Sequence, residues 1–373
     1  MTRQLLSTTI DVDELRAMLA ERRPVTVLDI RKAEDRAEWA IPGSLHIDAY
    51  EALKAGDPDA LADAAIPIDA PVVTVCGAGK VSVTAMEQLR NRGYDARSLA
   101  GGMKAWSLAW NSAEAPVPGS AATVVQVRRT GKGCLSYLIG NDDEAAVIDA
   151  ALPAAVYQDL AAQHGWTITR VVETHVPADH LSRSRLLAEQ TGATLHLPEQ
   201  DRVAYSFTPV RDGETLGVGA SRITALRTPG HTLESTSYFL DEKALFTGDT
   251  LFLASVGRPD LEASPEQARA RSRLLHASLT RLTALPPETI ILPGHTSEPA
   301  PFDHRPITAT LGDVISRVGL LGLSEEAFLD AILARIPPTP PNHARIVALN
   351  EAGEMPDGDP TDLEAGANRC AVS

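Results

Sequence analysis

The sequence predicts two α/β domains joined by a short linker. The chain has 373 residues, more than one hydrophobic core usually supports. Short β-branched runs alternate with helical patterns in two regions, and a stretch rich in Pro, Ser and Ala separates them. We expect a first domain over residues 1–110, a linker over 111–122 and a second domain over 123–373. The part after Ile336 is expected to be a tail wrapped on the surface.

The composition argues against several functional classes. The net charge is −15 at pH 7 and no cluster of Lys and Arg offsets it, so we do not expect nucleic acid as a partner. No segment approaches the run of about 20 apolar residues that spans a membrane, and the N-terminal segment lacks the uninterrupted apolar core of a secretory signal. We expect a cytoplasmic protein, and a homo-oligomer is compatible with the sequence.

The first domain is predicted to contain a small parallel sheet with a cysteine at a strand-to-helix turn. Apolar runs at Val25–Ile30 and Val72–Cys76 read as strands, and VSVTAMEQLRNRG after Cys76 reads as a helix. The N–H groups at a helix N-terminus lower the pKa of a thiol and can hold an anionic persulfide. Taken alone, a cysteine at a strand end is more often a small buried hydrophobic residue.

The three cysteines are few and far apart, which does not describe a disulfide framework. Reduced thiols are therefore expected. Cys134 follows GKG at the start of a strand-like run, so we interpret it as a small packed residue near a pocket rim. No physical argument from the sequence makes Cys370 catalytic.

Six potential metal ligands follow successive predicted strands of the second domain. They are His175, Asp179, His180, His231, Asp249 and His295. Any one of them would more often cap a turn or satisfy a buried group than bind a metal. Six at successive strand ends are better explained by one metal site. Asp149, also at a strand end, is expected to shape its turn instead.

The first domain resembles the rhodanese family in LDIR at Leu28–Arg31, IPGSLHID from Ile41, the Cys76 loop and LAGGMKAW at Leu99–Trp106. The resemblance implies a parallel α/β fold in which Cys76 carries a sulfane sulfur as Cys-S-SH and the loop Gly77–Ser82 cradles it.

One position departs from the rhodanese pattern. Val81 stands where the family usually has an arginine. The adjacent Lys80 offers a point charge for an anionic substrate but not the planar fork of a guanidinium group. A regulatory rhodanese module without transferase activity therefore stays open.

From Thr123 to its end the chain resembles the metallo-β-lactamase superfamily, whose signature T-H-x-H-x-D-H matches Thr174–His180 except at Pro177. GRPDL at Gly257–Leu261, PPN-x-x-RIVALN at Pro340–Asn350 and NRC near Cys370 are further matches to the persulfide dioxygenases of that superfamily. The resemblance implies an αββα sandwich fused behind the rhodanese-like domain.

The resemblance also implies a ligand set. The persulfide dioxygenases bind one Fe(II) per chain through three residues that correspond to His175, His231 and Asp249. Two imidazoles and one carboxylate form the facial triad of non-haem iron. Pro177 replaces a ligand of the first metal in the two-zinc hydrolases, so its presence favours the dioxygenase interpretation.

The remaining polar residues are given supporting roles. The resemblance implies that Asp179, His180 and His295 orient ligands or bind substrate and water, and a vestigial second metal site that shares Asp249 stays open. Arg258 is a candidate anchor for a substrate carboxylate. Its alternative is a surface ion pair with Asp260 or Glu262.

These observations predict a persulfide dioxygenase that converts a small thiol persulfide of the glutathione type and O2 to thiol and sulfite. A rhodanese-type sulfurtransferase acting on thiosulfate or sulfite would be coupled to it, in sulfide detoxification or sulfur assimilation. The main alternative is a glyoxalase II-like zinc thioester hydrolase with a regulatory rhodanese domain. A persulfide-binding regulator with a degenerate metal site is a third interpretation.

Overall fold

The computed structural model describes residues 7–366 and 369–372. Residues 1–6 of the predicted first domain, Asn368 of the NRC element and the C-terminal Ser373 lie outside the described residues.

A five-stranded parallel sheet forms the first domain, as predicted. Its strands are β1 (Thr9–Ile10), β2 (Thr26–Asp29), β3 (Leu45–His46), β4 (Val72–Val75) and β5 (Ala96–Leu99). They lie in the order β1-β5-β4-β2-β3. The helices are α1 (Val12–Ala20), α2 (Ala33–Glu38), α3 (Tyr50–Lys54), α4 (Val81–Asn91) and α5 (Gly102–Trp106). Every residue of β4 is buried, as is typical of a parallel strand covered on both faces.

The second domain is built on two sheets packed face to face. The seven-stranded sheet contains β6 (Asn111–Glu114), β7 (Thr123–Arg129), β8 (Cys134–Asn141), β9 (Glu144–Ile148), β10 (Thr167–Val172), β11 (Thr194–Pro198) and β12 (Thr208–Val210). The six-stranded sheet contains β13 (Thr215–Val218), β14 (Ser221–Arg227), β15 (Thr236–Leu240), β16 (Ala244–Gly248), β18 (Ile290–Pro293) and β19 (Ala309–Thr310). A small ribbon pairs β17 (Val256–Gly257) with β20 (Ala371–Val372).

Helices cover the outer face of each sheet, which completes the expected αββα sandwich. On the seven-stranded sheet these are α6 (Ala154–His164) and α7 (Ser184–Thr191), and on the six-stranded sheet α8 (Pro265–Thr283), α9 (Leu311–Arg317) and α10 (Glu325–Leu333). Two further helices follow, α11 (His343–Ala352) and α12 (Thr361–Glu364). The buried residues between the sheets include Tyr137, Tyr238 and Phe246. Within the described ranges, no helix combines the length and the apolarity that a membrane crossing requires.

Part of the predicted linker is regular structure. Asn111–Glu114 forms β6 and pairs antiparallel with β7 at the edge of the seven-stranded sheet. Arg128 on β7 is fully buried, and its Nε donates to the Asn111 side chain at 2.6 Å. Ala115 and Val117 then enter the core between the sheets. The segment is ordered because it supplies partners to a buried arginine and an unpaired strand edge.

The two domains meet at the turn between β7 and β8. The indole Nε1 of Trp39 donates to the carbonyl of Thr130 at 2.9 Å, and the amide of Gly131 donates to the carbonyl of Ala109 at 3.2 Å. On the other side of the turn, the amide of Thr296 donates to the carbonyl of Gly133 at 2.9 Å. One tight turn therefore contacts both the first domain and the loop that follows β18.

The C-terminal segment is not the surface tail that the sequence predicts. Glu364 on α12 is fully buried, where its carboxylate forms ion pairs with Arg129 and Arg183 and accepts the amide of Leu181 at 2.8 Å. Burial alone would raise the pKa of Glu364, but the two guanidinium groups outweigh burial and hold it well below its usual value. The segment is buried because this carboxylate neutralises two interior cations.

We expect Glu364→Gln to lower the free energy of unfolding by about 3–5 kcal/mol at neutral pH, because it leaves two buried guanidinium groups without their carboxylate. Since the pKa of Glu364 is depressed, its stabilisation is fully present above the ordinary carboxyl pKa of 4.5 and is lost as the pH falls below it. The difference between variant and wild type should therefore shrink in acid. Denaturant unfolding at several pH values measures it.

Glu14→Gln is the matched control, because Glu14 forms an exposed ion pair with Arg97 at 2.6 Å. Loss of such a pair should cost less than about 1 kcal/mol. Equal unfolding midpoints for the two variants would contradict the role assigned to Glu364.

Candidate metal centre and thiol site

The predicted metal ligands meet at one edge of the sandwich because each follows a strand. His175 follows β10, His231 follows β14, Asp249 follows β16 and His295 follows β18. All four side chains are at least 95% buried, with exposed fractions of 5%, 3%, 2% and 4% respectively. Gly294, just before His295, lies so close to the carboxylate that a Cβ atom there would be 2.7 Å from Asp249 Oδ1.

His175, His231 and Asp249 point three potential ligand atoms at one place. Asp249 Oδ2 is 3.8 Å from His175 Nε2 and 3.7 Å from His231 Nε2. Two ligands that are each about 2.1 Å from one ion can be at most about 4.2 Å apart, so these separations fit a shared ion. Asp249 Oδ2 is buried and has no hydrogen-bond partner among the described residues. A buried carboxylate oxygen without a partner is what an ion at this position would satisfy.

The two imidazoles are oriented by their other nitrogens. His231 Nδ1 lies 2.8 Å from the carbonyl of Arg258, and His175 Nδ1 lies 2.9 Å from Thr174 Oγ1, which itself donates to Asp149. A carbonyl only accepts, so Nδ1 of His231 carries a proton, and in the neutral ring the lone pair is at Nε2. Burial lowers the pKa of His175 to about 4 although the charge of Asp249 opposes it. The His175 ring is therefore neutral at pH 7, as a metal ligand must be.

Asp179, His180 and His295 form a second cluster beside the first. His180 Nδ1 is 2.8 Å from Asp179 Oδ1, and His295 Nδ1 is 2.6 Å from Asp249 Oδ1. On its other side, His295 Nε2 lies 3.1 Å from Asp179 Oδ2. Burial would lower the pKa of His295, but Asp249 and Asp179 raise it well above its ordinary value.

Two cysteines that the sequence did not assign to the site lie at it. Cys134 joins Asp179, His180 and His295, and Cys370 lies beside Asp249 and His295. Burial raises the pKa of the Cys134 thiol, but the charges of His180 and His295 outweigh burial and bring it down to about 6. Burial and the nearby carboxylates raise the pKa of Cys370 well above its usual range. The sequence indicates a strand at Cys134, but it does not reveal the β-bridge that pairs Cys134 with His295.

The side chain of Pro177 cannot bind a metal, but its carbonyl takes part in the hydrogen bonds that hold the loop after β10. The carbonyl of Pro177 accepts Asn350 Nδ2 at 2.8 Å, and the same amide donates to the carbonyl of His180 at 2.9 Å. Asn350 Oδ1 accepts the amide of Ser182 at 2.9 Å. The RIVALN element, which the sequence identified only as a match, therefore fixes the loop that carries Asp179.

Cys76 directly follows β4, in the predicted strand-to-helix turn, and its side chain contacts the first turn of α4. Its Sγ accepts the amide of Ser82 at 3.4 Å and is 3.3 Å from the Ser82 hydroxyl. The amide of Met103 donates to the carbonyl of Cys76. A Cβ atom on Gly102, which has φ of +57°, would lie 2.2 Å from that carbonyl, which explains why LAGGMKAW needs a glycine there. Lys80, just before α4, is exposed.

Arg258 is turned away from a role in substrate binding. It is fully buried, and its Nε and Nη2 donate to the two carboxylate oxygens of Asp260 at 2.8 Å each. Its remaining N–H groups face the carbonyls of Pro337, Pro338 and Arg369. The geometry corresponds to the predicted alternative, an ion pair with Asp260, although the pair is not on the surface. Arg258 holds the C-terminal segment against the loop after β17.

Family models match both halves of the chain. A model described as the rhodanese-like domain matches residues 11–109, and one described as the metallo-beta-lactamase superfamily matches residues 129–295. A hydroxyacylglutathione hydrolase from Fuscovulum blasticum is 36% identical over 155 residues, which are 40% of this chain and 56% of that protein. The same-named protein of Rhodopseudomonas palustris is 32% identical over 47% of this chain and 67% of its own length. The chain thus spans little more than half the length of the first of these relatives.

Two solved structures resemble this chain in both fold and sequence. A metallo-beta-lactamase from Staphylococcus aureus gives a TM-score of 0.58 at 28% identity, over 64% of this chain and 75% of that one. ETHE1 from Myxococcus xanthus gives a TM-score of 0.54 at 30% identity, over 62% of this chain and 98% of that one. Together with the family models, these similarities establish that the chain belongs to the metallo-beta-lactamase superfamily and carries a rhodanese-like domain before the metallo-beta-lactamase domain.

Proposed function

We propose that the protein is a persulfide dioxygenase whose rhodanese-like domain is a sulfurtransferase. The overall reaction is R-SSH + O2 + H2O giving R-SH, sulfite and two protons. The observation that carries the proposal is the combination of an intact ligand set at His175, His231 and Asp249 with a proline at position 177. That combination suits one ion with open positions better than a pair of ions.

In this proposal His175 Nε2, His231 Nε2 and Asp249 Oδ2 would hold one Fe(II). When bound, the iron would supply the redox chemistry that oxidises the terminal sulfur of the persulfide with O2. The protein keeps the ligands ready: Thr174 and the carbonyl of Arg258 fix the two rings, and His295 fixes the carboxylate through Oδ1. Because these side chains are buried, the site excludes bulk water around the reacting sulfur.

A cavity next to His295 is the proposed place for the organic part of the persulfide. Its volume is about 170 Å³, and it is lined by Phe252, Leu253, Ala254, Ser255, Thr296, Ser297, Ile307 and Ala371 besides His295. None of these lining residues other than His295 has an ionisable side chain. The cavity therefore suits a small thiol whose charged groups remain in solvent.

The similarity to ETHE1 supports the dioxygenase proposal, but a second candidate has support of its own. Curated relatives at 32–36% identity are named hydroxyacylglutathione hydrolases, so a zinc-dependent thioester hydrolase fits these names equally. In that reaction a zinc ion held by the same ligands would activate a water molecule for attack on the acyl carbon. Pro177 favours the dioxygenase, because it leaves the first metal position of the hydrolases one ligand short.

For the first domain we propose covalent sulfur transfer through Cys76. Attack of the thiolate on the outer sulfur of thiosulfate breaks the S–S bond, releases sulfite and leaves Cys76-S-S⁻. An acceptor thiol then takes the outer sulfur as R-SSH and restores the Cys76 thiolate. The amide of Ser82 and the turn that begins α4 face the sulfur, and such groups stabilise an anionic intermediate.

We expect the protein to contain about one iron per chain and to consume O2 with a supplied persulfide. His175→Ala, His231→Ala and Asp249→Ala should each remove the iron and abolish the uptake, because a three-ligand site has no spare ligand. His295→Ala should keep most of its iron. Metal analysis and an oxygen electrode measure both quantities, with thioester cleavage assayed in parallel.

His276→Ala is the matched control, because His276 lies on α8 and contacts the carbonyl of Leu323 instead of the site. It should retain iron and oxygen uptake. Zinc in place of iron, with thioester cleavage and without oxygen uptake, would support the hydrolase. Iron that persists in His175→Ala but is lost in His295→Ala would contradict the ligand assignment.

We expect Cys76→Ser to abolish sulfur exchange between thiosulfate and an acceptor thiol, because the covalent carrier is gone. Oxygen uptake with a supplied persulfide should stay nearly unchanged. Transfer is measured as sulfite release from thiosulfate. If the wild type and Cys76→Ser release sulfite at the same rate, the first domain is not a transferase and the regulatory interpretation replaces it.

We also expect Val81→Arg to strengthen thiosulfate binding, since a guanidinium group would face the active loop at the position where α4 begins. The wild-type exchange should be slow by comparison. A lower KM for thiosulfate, with kcat changed less, is the expected outcome. Val83→Arg, two residues further into α4, is the control for the added charge, and an equal fall in KM there would argue against a specific effect.

A further inference from the structure

We propose that Ser98 is a positioning residue of the sulfurtransferase, which orients the hydroxyl group of Ser82 toward the sulfur of Cys76. The inference rests on the covalent sulfur transfer proposed above for the first domain. It adds a residue from a different strand to the Cys76 loop and assigns a role to the side chain of Ser82. Ser98 acts on the sulfur through Ser82 and not through a hydrogen bond of its own.

Ser98 lies inside the sheet of the first domain, at a position where an apolar residue would be usual. It is on β5, which pairs with β4 on one side and with β1 on the other, and only 1% of its surface is exposed. Strands of a parallel sheet that is covered on both faces are usually continuous apolar runs. A buried hydroxyl group is costly unless it has a hydrogen-bond partner, so the partner of Ser98 indicates its role.

The partner of the Ser98 side chain is Ser82, in the first turn of α4. Ser98 Oγ donates to Ser82 Oγ at 2.9 Å. Ser82 is fully buried, and its Oγ lies 3.3 Å from Cys76 Sγ. A hydroxyl group has one proton. Because Ser82 accepts the proton of Ser98, its own proton is free for the sulfur, and the two hydroxyl groups form a chain of donors that ends at Cys76.

A third hydroxyl group holds the backbone of Ser82. Thr74 on β4 is the direct neighbour of Ser98 across the sheet, and Thr74 Oγ1 donates to the carbonyl of Ser82 at 2.7 Å. The carbonyl and the hydroxyl of Ser82 are therefore held from two adjacent strands. Since Thr74 already anchors the turn, the hydrogen bond from Ser98 determines the direction of the Ser82 hydroxyl.

The donors to Cys76 Sγ matter because the loop has valine at position 81, where an arginine would add a charge, and Lys80 is exposed. Among the described residues, the groups within hydrogen-bond distance of Cys76 Sγ are the amide and the hydroxyl of Ser82. A hydrogen bond to an ionised group is roughly twice as strong as one between neutral groups, and the bonds of a chain strengthen one another. Ser98 thereby increases the negative charge that Ser82 can stabilise on the sulfur.

This charge lies on Cys76 Sγ at the beginning and at the end of the transfer. The thiolate carries it before it attacks the outer sulfur of thiosulfate. When the acceptor thiol takes the outer sulfur as R-SSH, the bond from that sulfur to Cys76 Sγ breaks and its electron pair stays on Sγ. A donor that stabilises the departing thiolate speeds this second step. Loss of the Ser98 hydroxyl should therefore slow turnover more than it weakens the binding of thiosulfate.

Sulfite release from thiosulfate in the presence of an acceptor thiol tests the proposal on the full-length protein. Ser98→Ala should lower kcat by about tenfold, since one hydrogen bond to a charged group is weakened, while KM for thiosulfate changes by less than about twofold. Ser98→Thr keeps the hydroxyl group and should restore most of kcat.

Ser272→Ala is the matched control, because Ser272 is a fully buried serine whose hydroxyl donates to the carbonyl of Ala268 within α8. It should keep the kcat of the wild type. An equal loss of kcat in Ser272→Ala and Ser98→Ala would overturn the proposal, because removal of any buried hydroxyl group would then have the same effect.

A double-mutant cycle separates positioning from packing. Because Ser98 acts through the hydroxyl of Ser82, the double variant Ser82→Ala/Ser98→Ala should be no slower than Ser82→Ala alone. A wild-type kcat in Ser98→Ala would overturn the proposal. Losses that multiply in the double variant would also overturn it, since Ser98 would then act independently of Ser82.

Alkylation of Cys76 by iodoacetamide distinguishes a failure of this inference from a failure of the transferase proposal. The reagent reacts with a thiolate whether or not sulfur is exchanged, and mass spectrometry of the Cys76 peptide separates it from the other two of the three cysteines. At neutral pH, Ser98→Ala should react more slowly than the wild type and Ser98→Thr at the wild-type rate. If the wild type releases no sulfite, the transferase proposal fails, and equal alkylation rates in the wild type and Ser98→Ala would then overturn the role of Ser98 as well.

Discussion

The functional edge of the second domain depends on how two buried carboxylates divide their oxygens. Asp179 and Asp249 each accept the Nδ1 proton of a histidine with one oxygen, and the other oxygen of each has no hydrogen bond to any residue that the structure describes. A buried carboxylate is costly unless it is paired, so the two histidines are as necessary to the carboxylates as the carboxylates are to the ring orientations. Each pair fixes the position of a strand-end loop. In the proposed function, the remaining oxygen of Asp249 would face the metal ion together with His175 and His231.

Neighbouring segments hold the loops that carry these two carboxylates. The side chain of Asn350 holds the loop that carries Asp179. It donates to the carbonyls of Pro177 and His180 and accepts the amide of Ser182. Gly294 lets the backbone approach the carboxylate of Asp249 more closely than a side chain would allow. These contacts fix the backbone of the loops and so restrict the positions of the polar side chains. Such restriction preorganises a site before a ligand binds.

Local patterns were sufficient to predict both domains, their main strands and the six residues at the strand ends, because strand periodicity and turn residues are encoded within short windows. They did not reveal the role of Cys134, because its place depends on a bridge to His295 across 161 positions of the chain. The strand at Asn111–Glu114 was missed for a related reason. Ala, Ser and Glu favour strands weakly, and pairing with β7 decides the outcome.

The C-terminal segment shows the same limit of local information. A Pro-rich and Gly-rich composition is typical of a surface tail, and the burial of Glu364 could not be seen without the two arginines that it neutralises. Arg258 could equally have been a substrate anchor or an ion-pair partner, and only its surroundings, with Asp260 and three carbonyls, decide between them.

The turn between β7 and β8 also limits how this architecture can be rearranged. It accepts a hydrogen bond from Trp39 at its beginning and leads directly into Cys134 at its end, while β6 supplies an edge strand to the second domain from the segment after Trp110. Exchange of the first domain for an unrelated one, in evolution or by gene fusion, would therefore need to keep residues 111–114 with the second domain and to replace the surface that holds Thr130 and Gly131. The two domains are consecutive in sequence, but they contact each other at the turn between β7 and β8. Recombination within residues 111–114 would therefore disrupt β6, which pairs with β7.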